Sequence, residues 1–255
     1  MGAQDRPSLD ESVPAGPHVG PGGEKVDSAP AMEAVAGLDP QDPRVLQILS
    51  TEHWSLLSAR SLVYNEAFTR VGTFLTLVSM SLVGLALLAQ PMEFGRTFLV
   101  VAAITLAFDL LVGLATIARV LGAIDEDLSA MHGMSRIRHG YLEIAPQLRP
   151  YFTSPVHDDV RSVMAGYGRV HTGIYGVVYF LSTSLGLMVL LVSVIAGIVS
   201  VVVILATGTD AAIGVGIGLP VTLATFLGLG LLARRSILAG QAALNSLFPS
   251  PHDET

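Results

Sequence analysis

The chain contains no cysteine, a single lysine (Lys25) and a single tryptophan (Trp54) among its 255 residues. The missing thiols exclude disulfides, thiolate metal sites and cysteine nucleophiles. Charge is sparse as well. Asp, Glu, Lys and Arg together make up 14%, against roughly 25% in soluble domains, which is too little to cover a water-exposed fold. The basic residues are scattered, without a stripe or run, so the footprint of a nucleic-acid-binding protein is absent. Catalytic signatures are absent too: there is no G-K-[ST] phosphate loop, no H-E-x-x-H and no G-x-S-x-G elbow. The run "DED" at 125–127 lacks the spaced second aspartate pair of a magnesium-dependent membrane transferase. Nothing calls for an enzyme, a cofactor or a metal. The near-exclusive use of arginine over lysine, with abundant Ala, Gly and Val, suggests a GC-rich bacterial genome.

What is abundant is apolar. Hydrophobic residues reach 51% with a mean hydropathy of +0.60, and they cluster in runs of about 18 residues or more, enough to cross a bilayer core of about 30 Å. The expectation is an all-α integral membrane protein with four transmembrane helices extended into a cytoplasmic helical bundle. The spans are placed at 71–89, 97–118, 185–206 and 211–233. Residues 1–41, rich in Pro, Gly, Asp and Glu, are expected to be a disordered tail. They lack the apolar core of a signal peptide, which leaves the N-terminus in the cytoplasm.

Asp42 and Pro43 read as a helix cap and first turn. Val45, Leu49, Leu56, Val63 and Ala67 then recur at helical spacing, and no breaker separates this stripe from the first span. After the turn "QPMEFGR" the second span likewise continues outward, with Leu121, Ile124, Leu128 and Met131 as its apolar stripe, until Pro146 stops it. The helices 43–70 and 119–145 are expected to pack antiparallel. Ser154 and Pro155 suggest a short helix with His157, Asp158 and Asp159 in its first turn. The helical region thus covers 119–171, and "TGIYGVVYF" leads into the third span with Tyr175 and Tyr179 at headgroup depth. After the fourth span, 234–248 is read as a short amphipathic helix and 249–255 as a tail.

Outside the four spans, the turns 90–96 and 207–210 contain only one basic residue, Arg96; the remaining basic residues lie on the other side. The positive-inside rule then puts both termini in the cytoplasm of a cell whose plasma (inner) membrane holds the protein.

One residue stands out. "ITLAFDLLVGLATIAR", 104–119, places Asp109 roughly 15–18 Å from either face of the membrane at 1.5 Å per residue. An aspartate there costs about 2.5–3.5 kcal/mol on insertion scales, so Asp109 should face other helices or water rather than lipid. Depth counting brings Ser79 and Ser81 on the first span, Ser193 on the third, and Thr222 and Thr225 on the fourth to its level. Two readings stand side by side: a hydrogen bond that fastens helices, or an ion, proton or ligand site.

Gly214 and Gly218 on the fourth span allow close backbone approach, and Gly218 with Pro220 forms a candidate hinge beside ordinary tight packing. Asp125, His132, His139 and Glu143 form one helical stripe, which a solvated face explains as well as a metal site does. Glu66 and Arg70 have helix ion-pair spacing. Arg60, His132, Arg136, Arg138 and His139 form a candidate cytoplasmic interaction face. No motif can be matched residue by residue to a known family. The leading expectation is an oligomeric channel or transporter-like protein with a midplane polar site around Asp109. The alternative is a non-transporting membrane-anchored scaffold or sensor that binds a partner through its cytoplasmic helices. The expected partners are the lipid bilayer, further copies of the chain and a cytoplasmic protein, with no nucleic acid.

Overall fold

A computed structural model describes residues 42–167 and 173–251, and the structural statements that follow concern these residues. The expected tail 1–41 and the end of the C-terminal tail, 252–255, lie outside them. Every regular element is helical. Helix α1 spans Pro43–Ala89 and α2 spans Arg96–Ile144. A 3-10 turn, Pro146–Tyr151, leads to the short α3, Val160–Ala165, and then come α4, Gly173–Ser182, α5, Ser184–Ala206, and α6, Ala211–Ala242. Four of these, α1, α2, α5 and α6, are long and apolar enough to cross a membrane.

Helix α1 starts where its capping chemistry says it should. The Asp42 side chain accepts from Arg44 N at 2.9 Å, with Pro43 in the first turn. It then runs for 47 residues, about 70 Å at 1.5 Å per residue. A tight turn reverses the chain, with Glu93 and Phe94 both at positive φ and Phe94 N donating to Ala89 O. Helix α2 returns along α1 for its whole length. The pairs Ser81–Asp109, Glu66–Arg119 and Arg60–Asp127 are bonded in succession, and the Leu56 and Leu49 side chains lie over Gly133 and Gly140. The expected antiparallel pairing of 43–70 with 119–145 is therefore part of one hairpin that also includes the apolar halves.

Helices α5 and α6 close the apolar half. Val71 and Phe74 of α1, Ile117 and Val120 of α2, Met188, Val189 and Val192 of α5 and Ala233 of α6 form its core. The outward sides of these helices, including Leu82, Leu87, Ile104, Leu111, Leu219 and Leu223, remain exposed. A second core in the polar half joins Leu128, Met131 and Met134 to Val163 of α3.

Three local expectations give way. The lead-in to the third span is a separate helix, because Thr183 breaks it: its hydroxyl donates to Phe180 O at 2.7 Å and accepts from Gly186 N at 3.1 Å, capping α5. Tyr175's side chain lies outside the described residues. The segment 234–248 is helical only as far as Ala242 and is not a separate helix. Instead α6 continues unbroken to Ala242, and 245–248 is irregular chain whose Leu247 and Phe248 amides are bound by Asp158. The helix expected to start at Ser154 starts at Val160 instead. Asp159 is its cap, accepting from Ser162 N at 2.9 Å, and Asp158 lies before it in extended chain.

The break at Thr183 depends on Gly186, where a Cβ would collide with the Phe180 carbonyl. Gly186→Ala should cost about 1–3 kcal/mol, as overpacking does, read by denaturant titration in micelles. Gly216→Ala, where a Cβ meets nothing within 4 Å, should instead be neutral or stabilising by up to about 1 kcal/mol.

Candidate functional site: buried carboxylates along the hairpin

Asp109 is fully buried among the apolar halves. Ser81 Oγ donates to its Oδ1 at 3.0 Å, and its Oδ2 has no hydrogen-bond partner among the described residues. The other hydroxyls expected at this depth do not bond to it. Ser79 is exposed and donates to Leu75 O at 2.8 Å. Ser193 is buried but donates to Val189 O at 2.6 Å, and Thr222 donates to Gly218 O at 3.1 Å. Thr225 is half-buried. Counting residues sets depth but not facing. Ser79 and Ser81 are two residues apart, hence about 200° apart around the helix, and only one can face α2.

Gly218 has a packing role. A Cβ there would stand 3.0 Å from Gly197 O, so the backbones of α5 and α6 touch. Pro220 sits on the exposed side of a helix that passes through it without interruption.

Nearer the polar half, Glu66 accepts from Arg119 Nε at 3.0 Å and Nη2 at 2.7 Å, and from Arg70 at 2.9 Å. These guanidiniums hold its carboxyl at a pKa of about 2. Arg119 also bonds Glu126 at 2.6 Å, so the expected Glu66–Arg70 pair belongs to a four-residue network.

Two turns further, Asp127 is nearly buried and accepts from Arg60 on α1, from Tyr64 OH at 2.9 Å and from Tyr167 OH at 2.6 Å. Burial opposes the charge on Arg60, but its bonds to Asp127 and Tyr64 outweigh that and raise its pKa. Burial, reinforced by the bond to Asp127, raises the Tyr167 phenol.

The third buried carboxylate is Asp158, packed against α2. It accepts from Arg136 Nε at 2.7 Å, Ser246 Oγ at 2.7 Å, Leu247 N at 2.8 Å and Phe248 N at 2.8 Å. Burial works against its charge, yet the bonds from Leu247, Arg136, Ser246 and Phe248 hold its pKa at about 2. Arg136 also donates to Asn245 O, and the Phe248 ring stacks on His139 with centroids 4.2 Å apart. His132 lies under this segment, 3.8 Å from Asp158; burial and the charge of Arg136 lower its pKa.

The candidate interaction face is therefore only partly open. Arg60 is tied to Asp127. His132 is buried beneath residues 245–248, Arg136 and His139 are partly covered by them, and Arg138 donates to Pro155 O at 3.5 Å. The stripe Asp125, His132, His139, Glu143 does not converge: His139 pairs with Glu143 at 3.6 Å while His132 turns to Asp158. Among the described residues no three metal-ligating side chains come together.

Sequence reasoning missed Asp127, Tyr64, Tyr167 and Asp158. A signal existed for the first two. Asp127 sits in the apolar stripe Val120, Ile124, Asp127, Met131, and Tyr64 in the stripe Arg60, Tyr64, Ala67, Val71, at 3–4 residue spacing. A charge inside an apolar stripe calls for a buried partner. Tyr167 and Asp158 had no such mark. No family model, curated protein or solved structure matches this chain.

Proposed function

We propose that the chain crosses the inner membrane four times with its polar half and both termini in the cytoplasm, and that it works as an oligomeric channel or transporter-like protein with Asp109 as a proton or small-cation site. The orientation rests on the arginine-poor turns at 90–96 and 207–210. The observation that carries the functional reading is the half-satisfied state of Asp109. A carboxyl whose task is to fasten helices would engage both oxygens, since an unmatched buried polar atom costs about 1–3 kcal/mol. Here one oxygen bonds to Ser81 and the other has no partner among the described residues. A free acceptor at the depth where an ionisable group is most costly is a place for a proton or cation to bind. The scaffold reading has less support, because much of the face it needs is already engaged by the chain's own residues.

Reconstituted in liposomes, Asp109→Asn should abolish dye-reported proton or cation flux while the elution volume and helical content stay unchanged. Ser81→Ala should reduce the flux less. Flux of wild-type size in Asp109→Asn would end this reading.

A further inference from the structure

A second feature is independent of Asp109. Where the apolar and polar halves meet, a cavity of about 380 Å³ opens between α1, α2, the α4–α5 junction and α6. That volume lies within the roughly 300–1,000 Å³ of ligand sites. Its walls are apolar, formed chiefly by Ala67, Phe68, Ala123, Phe180, Leu185 and Ile237. Its polar end consists of Tyr64, Asp127 and Tyr167, with Thr183 and Ser184 at the helix break.

We infer that this cavity binds a neutral amphiphile, a molecule with one apolar chain or ring and a hydroxyl or amide N–H head. The apolar walls set the tail. The hydrogen-bond inventory sets the head. Tyr167 spends its one phenolic proton on Asp127, and Tyr64 does the same while also bonding Arg60, so towards the cavity the Tyr167 oxygen can only accept, and a head that donates fits it, with the Ser184 hydroxyl able to donate or accept beside it. The charge balance sets the neutrality. Asp127 is already matched by Arg60, so a cationic head would find no free counter-charge and an anionic head would face a carboxylate in a partly desolvated site. The position, one to two turns beyond the apolar runs of α1 and α2, suits a molecule that keeps its tail level with lipid and its head near water.

The test uses full-length protein in micelles with a photoreactive diazirine analogue of dodecanol, followed by peptide mapping. The label should fall on the α1 and α2 segments that carry Ala67 and Ala123. Dodecanol should compete at least about tenfold better than laurate or dodecylammonium. Ala123→Phe, which fills the cavity, should lower labelling by about tenfold or more. Ala67→Phe provides the same occlusion from the opposite wall if Ala123→Phe does not fold. Tyr167→Phe should weaken the preference for the alcohol. Labelling spread evenly over the apolar surface, or undiminished in a folded occluded variant, would overturn the site. Better competition by laurate or dodecylammonium would overturn the neutral head.

Discussion

Asp127→Ala should lower the unfolding free energy in micelles by about 3–5 kcal/mol, the range for breaking a buried ion pair from one side. The loss has two sources. Arg60, whose side chain is only 24% exposed, keeps its charge and loses its counter-ion. Tyr64 and Tyr167 lose the acceptor that takes both of their protons. The pair itself is not expected to be worth that much, because desolvating two charges offsets most of their attraction. Arg60→Met combined with Asp127→Leu should therefore recover most of the loss. The double variant separates the two ideas in a single denaturant series. A cost below about 1 kcal/mol for Asp127→Ala, as at an exposed pair, would mean that the hairpin does not bury this network.

The second large effect is at Asp158. Asp158→Asn removes the charge that four donors converge on, and it turns an NH2 group towards at least one of them. Bonds to a charged acceptor contribute about 1.5–3 kcal/mol each. The segment 245–248 should detach without the bundle unfolding, so that amide exchange of Leu247 and Phe248 accelerates about 100-fold, equivalent to about 2.7 kcal/mol at 1.36 kcal/mol per tenfold. Exchange in the 185–206 helix should not change. Protection of Leu247 equal to wild type would show that Arg136 and the His139–Phe248 stack hold the segment by themselves.

Acid should release the same segment in two stages. His132 is neutral in the folded bundle with a lowered pKa, so protonation favours the open state once the pH drops below the ordinary histidine value of about 6.5. Asp158 has a pKa of about 2. Its contribution is complete above the ordinary carboxylate value of about 3.9 and is lost as the pH falls towards 2. Exchange at Leu247, normalised to the intrinsic rate at each pH, should rise first below about pH 6.5 and again below about pH 4. His132→Phe should delete the first rise and keep the second.

The long elements were legible because one-dimensional signals set them. Asp42–Pro43 begins α1, Pro146 follows the end of α2, and the apolar runs mark the four long helices. Ser81–Asp109 was legible in depth, and only half of that inference survives, since the direction a side chain faces is set by the partner helix. The break at Thr183 was not legible. It sits in "FLSTSLGL", where a capping threonine looks like any small residue of an apolar helix, and the close Phe180–Gly186 approach that goes with it is a matter of backbone geometry that hydropathy does not carry. The irregular course of 245–248 was hidden for the opposite reason. "ALNSLF" has helical periodicity, and a single buried carboxylate from 158 takes its amides instead. Local propensity lost to a long-range hydrogen-bond demand.

The bonded rungs of the α1–α2 hairpin carry a mechanical consequence. Asp109 and Asp127 are 18 residues apart on α2, five turns and about 27 Å at ideal geometry, so they point the same way, towards α1. No proline interrupts either helix between Leu49 and Ser81 or between Asp109 and Gly140. The hairpin is thus a torsion rod with a carboxylate near each end of its bonded length. Turning α1 about its own axis by one residue step, about 100°, would pull Ser81 off Asp109 and Arg60 off Asp127 together. A rigid rotation of α1 would therefore disturb both sites at once.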